Sequence, residues 1–288
     1  MKTINGLRFI IGTACNYNCF YCHHEGCNVL DTMHSDEDYS NKIQLLYDFC
    51  IHNKITEIAI TGGEPFLYIS KLQTILHYFT KCKFHITINT NASLVNKYID
   101  YLNTLPYPIE FHVNLSSITQ NVHNRITRAN YLVDEMSSLK ELVRTKHIVK
   151  LNIICLKSVN EDELLELNKF AIMNNMFPRY LVLYDTNNSC SNYIMDTEEI
   201  CKKFDVSIAK KYGYGMVSAK GRFEIEIVKC LCIDKECDRC RNNSFLHLDP
   251  NLNIKYCLNS DAVVNVDFSN VVTVTDSFNC ALAKFRGF

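Results

Sequence analysis

The chain has 288 residues, of which 47% are apolar and 21% charged, and its formal net charge is −1. That composition is globular and long enough for a barrel-sized domain plus a smaller appended unit. The balanced charge argues against a nucleic-acid or anionic-membrane surface, and no apolar run approaches the length of a membrane span.

The first residues lack the apolar core of a secretory signal, so the cytoplasm is the expected compartment. A β-rich run at 7–14 leads directly into Cys15-Asn-Tyr-Asn-Cys19-Phe-Tyr-Cys22. Further runs follow at 56–63, 83–91, 109–117, 149–156 and 178–185. Several are near-continuously apolar, as expected of parallel strands covered on both faces. Helix-like segments lie between them at 36–52, 69–80, 93–105, 129–144 and 161–174, the last with Asn160 as its expected N-cap.

Six strands alternating with helices predict an α/β architecture, a partial (β/α)6 barrel of the TIM type over residues 1–186. Chemistry in such folds sits at the C-terminal strand ends. The first cysteines, Gly62-Gly63-Glu64-Pro65, Thr90-Asn91 and Ser116-Ser117 all fall there. Residues 187–288 read as a small α+β domain, with a helix at 197–212, a hairpin over 217–218 and 223–228, a second over 245–248 and 253–258, and a last helix at 277–285.

Fifteen cysteines are too many, and odd in number, for a disulfide scaffold in a reducing compartment. Two groups are dense. Cys15, Cys19 and Cys22 put three thiolates on one loop, a spacing suited to a cubane cluster that leaves its fourth iron open. A zinc loop completed by His23 or His24 is the competing reading. Cys237 and Cys240 with Cys257, joined by Cys230 or Cys232, fit either a second cluster or a zinc ribbon. Most of the solitary cysteines read as small buried hydrophobes.

The ordered motifs resemble the radical S-adenosylmethionine (SAM) superfamily, and within it the MoaA-like enzymes, whose namesake is a GTP cyclase of molybdenum-cofactor biosynthesis. The resemblance is carried by Leu7-Arg8-Phe9, the three-cysteine loop with Tyr21, Thr61 through Pro65, Ile88 through Asn91, Val113 through Ser116, and Lys150-Leu151-Asn152. It implies a [4Fe–4S] cluster on Cys15, Cys19 and Cys22. It also implies a SAM site drawn from Tyr21, Gly62, Gly63, Glu64, Pro65, Thr90, Asn91, Asn114 and Asn152. A second [4Fe–4S] cluster in a twitch- or SPASM-like C-terminal domain and an electron donor such as flavodoxin or ferredoxin are implied with it.

The departures concern substrate. Ala14 stands where the family has arginine, Phe66 through Ser70 replaces a basic stretch, and the Gly-Gly tail is absent. A triphosphate needs a cluster of charge-assisted donors. Lys150 and Arg179 remain as candidate substrate cations, for a carboxylate or a single phosphate, or as members of ion pairs. The expected function is therefore SAM-dependent hydrogen abstraction from a peptide or small metabolite. A divergent GTP cyclase and a non-catalytic zinc- or cluster-binding protein are the alternatives. Tyr17, Glu110, His112 and Tyr184 are further polar residues expected near the cavity.

Overall fold

The computed structural model describes residues 4–27, 29, 32, 35–186, 189–212, 215–234, 245–255, 257, 259–260 and 262–286. Six parallel strands form its centre: β1 (Gly6–Ile10), β2 (Glu57–Thr61), β3 (His85–Thr90), β4 (Glu110–Asn114), β5 (Ile148–Cys155) and β6 (Phe177–Val182). They are neighbours in chain order, as right-handed crossovers through helices require.

The crossover helices are α1 (Asp36–His52), α2 (Ile69–Phe79), α3 (Ile99–Thr104), α4 (Gln120–Thr127), α5 (Leu132–Leu142) and α6 (Leu164–Met173). α1 starts where the Ser35 side chain accepts from the Asp38 amide, and Asp36, Glu37 and Asp38 complement the helix dipole. Asn160 does not cap α6, which begins at Leu164. Its fully buried side chain accepts from the Leu156 amide and donates to the Ser116 and Ile154 carbonyls, bracing the ends of β4 and β5.

The strands alternate instead of being apolar on both faces. Leu7 and Phe9, Ile58 and Ile60, Ile86 and Ile88, Phe111 and Val113, and Leu151 and Ile153 are buried in the main core. Each such side chain contributes about 1.5–3 kcal/mol. Because side chains alternate along a strand, Arg8, Thr61, Asn89, Glu110, His112, Asn114, Lys150, Asn152 and Arg179 share the opposite, inner face. That face is polar, which the apolar-run reading did not anticipate.

The chain after residue 186 is divided between the two ends of the sheet. α7 (Thr197–Phe204) opens with a capping box between Asp196 and Glu199. It stops at Asp205, whose left-handed φ of 53° turns the chain into β7 (Val206–Lys211). The expected helix at 197–212 is thus a shorter helix followed by a strand. β7 pairs antiparallel with β8 (Met216–Gly221), and β8 pairs antiparallel with β9 (Glu224–Val228). β9 then adds in parallel to β6. At the other end, β10 (Phe245–Leu248) adds in parallel to β1 and turns at Asp249 into β11 (Ile254–Lys255) and β12 (Val263–Val264). The result is one 12-stranded sheet. The last helix, α8 (Val271–Arg286), docks on α1, where Phe278 stacks on Phe49 at a centroid distance of 4.2 Å. Among the described residues no helix is long and apolar enough to cross a membrane.

Candidate active site

The cysteine loop emerges from β1 and is held by its backbone. The Asn18 amide donates to the Thr127 carbonyl at 2.9 Å and the Phe20 amide to Ile126 at 3.2 Å, so the loop lies against α4. A buried side-chain triad adds a second anchor. The Tyr17 hydroxyl donates to Glu135 Oε2 at 3.0 Å, and His123 Nε2 lies 3.0 Å from the same oxygen. Glu135 and His123 are both almost wholly buried. Sequence reading missed them, because a lone glutamate in an amphipathic helix looks like any solvated charge.

Within the loop, the Tyr17 amide donates to Cys15 Sγ at 3.3 Å and the His24 amide to Cys22 Sγ at 3.4 Å. The Tyr21 hydroxyl is hydrogen-bonded to both Cys19 and Ser116. Burial pushes the Cys15 thiol up to about 11 and the Cys19 thiol to about 12, and it also raises Cys22; neighbouring cysteines add repulsion to Cys15 and Cys19. Loading such a site therefore releases protons as thiolates form. Among the described residues no three Cys, His, Asp or Glu side chains converge on a point that a single metal ion would fill. A cubane takes each thiolate on a different iron and uses a wider set.

The β2 end is zipped to this loop. The Gly63 amide donates to the Gly12 carbonyl and the Glu64 amide to Ala14, both at 2.9 Å. Gly62 has φ +138°, and a Cβ added at Gly63 would stand 2.0 Å from the Ala14 oxygen. Two glycines are thus required by backbone approach, not by turn preference alone. Gly63→Ala is expected to push the β2 loop off the segment before Cys15 and to lower SAM affinity by about tenfold or more. Equilibrium dialysis with labelled SAM checks it, and unchanged binding would refute the close-approach argument.

The polar residues expected to bind SAM divide into two groups. Glu64 is fully buried, accepting from the Phe66 amide (3.0 Å), Thr90 Oγ1 (2.7 Å) and the Asn91 amide (2.8 Å). Its side chain ties β2 to β3. Thr90 is spent on Glu64 and the Ala92 amide, and Asn91 on Asn16 and Ser93, with a longer 3.8 Å approach to Cys15 Sγ. Pro65, itself buried, starts a 3-10 turn at Pro65–Leu67. Asn114 and Asn152 behave differently. They pair side by side in register, Asn114 exposed at the end of β4 and Asn152 within β5 with its Oδ1 buried without a partner. The donor set fits a three-thiolate cluster with a chelating ligand: three sulfurs on one loop, a glycine loop held against the segment before Cys15, and a buried amide oxygen without a partner on the inner face.

Below the mouth, the inner face is charged. Lys150 Nζ lies 3.0 Å from Glu110 Oε1, and Arg179 Nε 3.4 Å from Glu226 Oε2. His112 stands between Glu110 and Arg179. On the β1 side, Arg8 meets Glu25 at 3.5 Å, and Glu25 also accepts from Thr61. Beyond β6, the Tyr184 hydroxyl accepts from Asn259 at 2.6 Å and is hydrogen-bonded to Cys232, with Cys230 beside it. Cys257 is half-buried, and Cys237 and Cys240 lie outside the described residues.

A family model described as the radical SAM superfamily matches residues 9–171, more than half of the chain and all of β1 to α6 except its edges. The chain belongs to the radical SAM superfamily. It is therefore an enzyme of a family built on a [4Fe–4S] cluster and SAM. The GTP 3',8-cyclase of Helicobacter pylori is 24% identical to this radical SAM enzyme over 286 residues, covering 94% of this chain and 87% of the relative. That of Peptoclostridium acidaminophilum is 24% identical over 283 residues, 92% and 83% of the two chains. With other relatives the alignment spans little more than half of the relative's length. Among solved structures, Streptococcus suis SuiB bound to the precursor peptide SuiA superposes with a TM-score of 0.72 at 13% identity, covering 100% of this chain and 68% of that one. anSMEcpe with bound AdoMet gives 0.64 at 13% identity, covering 97% and 82%. At that identity the superpositions speak for the radical SAM fold alone.

Proposed function

We propose that this enzyme holds a [4Fe–4S] cluster on Cys15, Cys19 and Cys22, binds SAM beside Gly62, Gly63, Asn114 and Asn152, and abstracts hydrogen from a substrate seated on the polar inner face. The observation that supports the reading is the backbone zipper from the glycine loop to Gly12 and Ala14, which holds that loop against the segment leading into the cysteine loop. The chemistry supplied by a loaded site is one-electron cleavage of the SAM sulfonium to methionine and a 5′-deoxyadenosyl radical. The chain's own part is positional. Tyr17 and Glu135 fix the cysteine loop, Glu64 and Thr90 fix the glycine loop, Tyr21 steadies Cys19, and the two asparagines offer amides at the mouth. A one-electron donor such as flavodoxin or ferredoxin would supply the reducing equivalent. Anaerobically loaded protein given dithionite and SAM is expected to release 5′-deoxyadenosine; cluster-loaded protein that leaves SAM intact would overturn the reading.

Cys237, Cys240 and Cys257, with Cys230 or Cys232, are proposed to hold a second [4Fe–4S] cluster. The placement of Cys230 and Cys232 beside Tyr184 supports this. Two cubanes correspond to about eight irons per chain and one to about four, which iron analysis distinguishes.

For the substrate, the name carried by near-full-length relatives supports GTP 3',8-cyclisation. A second reading, a peptide or small metabolite with less negative charge, is favoured by one observation: Lys150 and Arg179 are already paired with Glu110 and Glu226. Incubation with GTP and a search for the cyclised nucleotide separates the two.

A further inference from the structure

Four charges on β4, β5, β6 and β9 form a row in which two cations are flanked by two carboxylates. Glu110 and His112 lie two residues apart on β4 and so face the same way. His112 pairs in register with Lys150, and Arg179 with Glu226. His112 Nε2 is 2.5 Å from Glu110 Oε1, and Arg179 Nη1 is 3.0 Å from His112 Nδ1. Arg179 Nη1 also lies 3.2 Å from His112 Nε2, but an ionised Glu110 can only accept, so the ring proton sits on Nε2, directed at Glu110. Burial and the neighbouring Arg179 hold His112 down to about 4, so the ring is an uncharged spacer at neutral pH. Glu110 stays ionised: its bonds to His112, His85 and Lys150 outweigh its burial and hold the carboxyl far below the usual range. Lys150 and Arg179 are balanced one for one by Glu110 and Glu226.

We infer that Glu110 and Glu226 are specificity-determining residues that cancel Lys150 and Arg179 and so turn this part of the inner face against a polyphosphate chain. To reach either cation, a polyphosphate would have to displace a carboxylate that stays in place beside it. Like charges at such range cost more than the exchanged pair returns. The same arrangement admits an uncharged or zwitterionic substrate, whose donors and acceptors can each find an opposite partner. The inference rests on the reading that substrate occupies the inner face, and it assigns the less anionic class to it.

The test uses the cluster-loaded enzyme and two probes, inorganic tripolyphosphate and GTP, with affinity read by anaerobic titration calorimetry. Wild type is expected to bind both weakly. Glu110→Gln and Glu226→Gln are each expected to tighten tripolyphosphate about tenfold or more, since each frees one cation. Glu110→Asp keeps the charge and is expected to show no gain. Lys150→Met added to Glu110→Gln is expected to cancel the gain, an effect that a merely structural role for Glu110 would not produce. Glu226 is the more exposed of the two carboxylates and carries the test if Glu110→Gln does not fold. Variants that bind no tighter than wild type would overturn the inference, as would wild type that binds tripolyphosphate as tightly as the variants or cyclises GTP. Failure of every protein to release 5′-deoxyadenosine from SAM would instead overturn the radical-generating reading, so the two failures are distinguishable.

Discussion

Cys19→Ala is expected to lose reductive SAM cleavage by at least about a thousandfold while keeping its fold, because a three-thiolate cubane site has no spare protein ligand. The separation of chemistry from stability follows from how the loop is anchored. Its backbone bonds to Thr127 and Ile126 and the Tyr17–Glu135 contact involve no sulfur. Cys19 is the half-buried member, held by the Tyr21 hydroxyl and flanked by Cys15 and Cys22. Removing it takes away a ligand without opening a large cavity. Iron should fall by about four per chain if the second cluster is present, and the remaining iron should give a different reduced electron-resonance signal. The exposed Cys82 and Cys280 are the controls, and alanine at either should leave 5′-deoxyadenosine release intact. Full SAM cleavage by Cys19→Ala would remove the loop from the mechanism.

Glu64→Gln is expected to lower the thermal midpoint by roughly 5–10 °C, from about 2–4 kcal/mol of lost stability. Both Glu64 oxygens accept: Oε1 from Phe66 and Thr90, Oε2 from Asn91. A glutamine must turn its NH2 toward one of these donors and leave that donor unsatisfied in a buried place. The wild-type residue also carries a pH signature. Burial outweighs its three donors and pushes it up to about 7 from the usual 4.5. The folded state therefore holds a proton that the unfolded state has released. Stability contributed by this group is present below about 4.5, declines as pH rises toward about 7, and stays lost above it, a change of about 3 kcal/mol. The difference in thermal midpoint between wild type and Glu64→Gln should thus shrink between pH 5.5 and 7.5. A constant difference would mean that Glu64 is ionised throughout.

The main lines of the barrel were legible because strong local signals agreed with the tertiary outcome. The α1 boundaries at 36 and 52 follow from the Ser35 cap and the acidic first turn, and the six strands from their β-branched runs. α4 was not legible: Gln120–Thr127 has few apolar residues and is made by docking against the cysteine loop. The end of α7 at Asp205 turned on one left-handed residue and on a strand partner lying beyond it. In the site, the motif residues were legible but their hydrogen bonds to one another were not. Glu64, Thr90 and Asn91 were expected at a SAM site from the family resemblance, and the fold also ties them to each other. Glu110 and Glu226 could not be matched to Lys150 and Arg179 from sequence, since register between distant strands is set only when the sheet assembles.

The pairing of β10 with β1 also has a consequence for biogenesis. The segment that carries the first cysteines leaves the ribosome long before β10, so β1 gains its second strand neighbour only after residue 248 has emerged. Until then one edge of β1 presents unpaired amides and carbonyls beside an incomplete loop, a template for association with another nascent chain. Closure spans most of the polypeptide and is entropically late. The cysteine loop is thus made first and framed last, so any metal it takes up would find both of its walls only once β10 has docked.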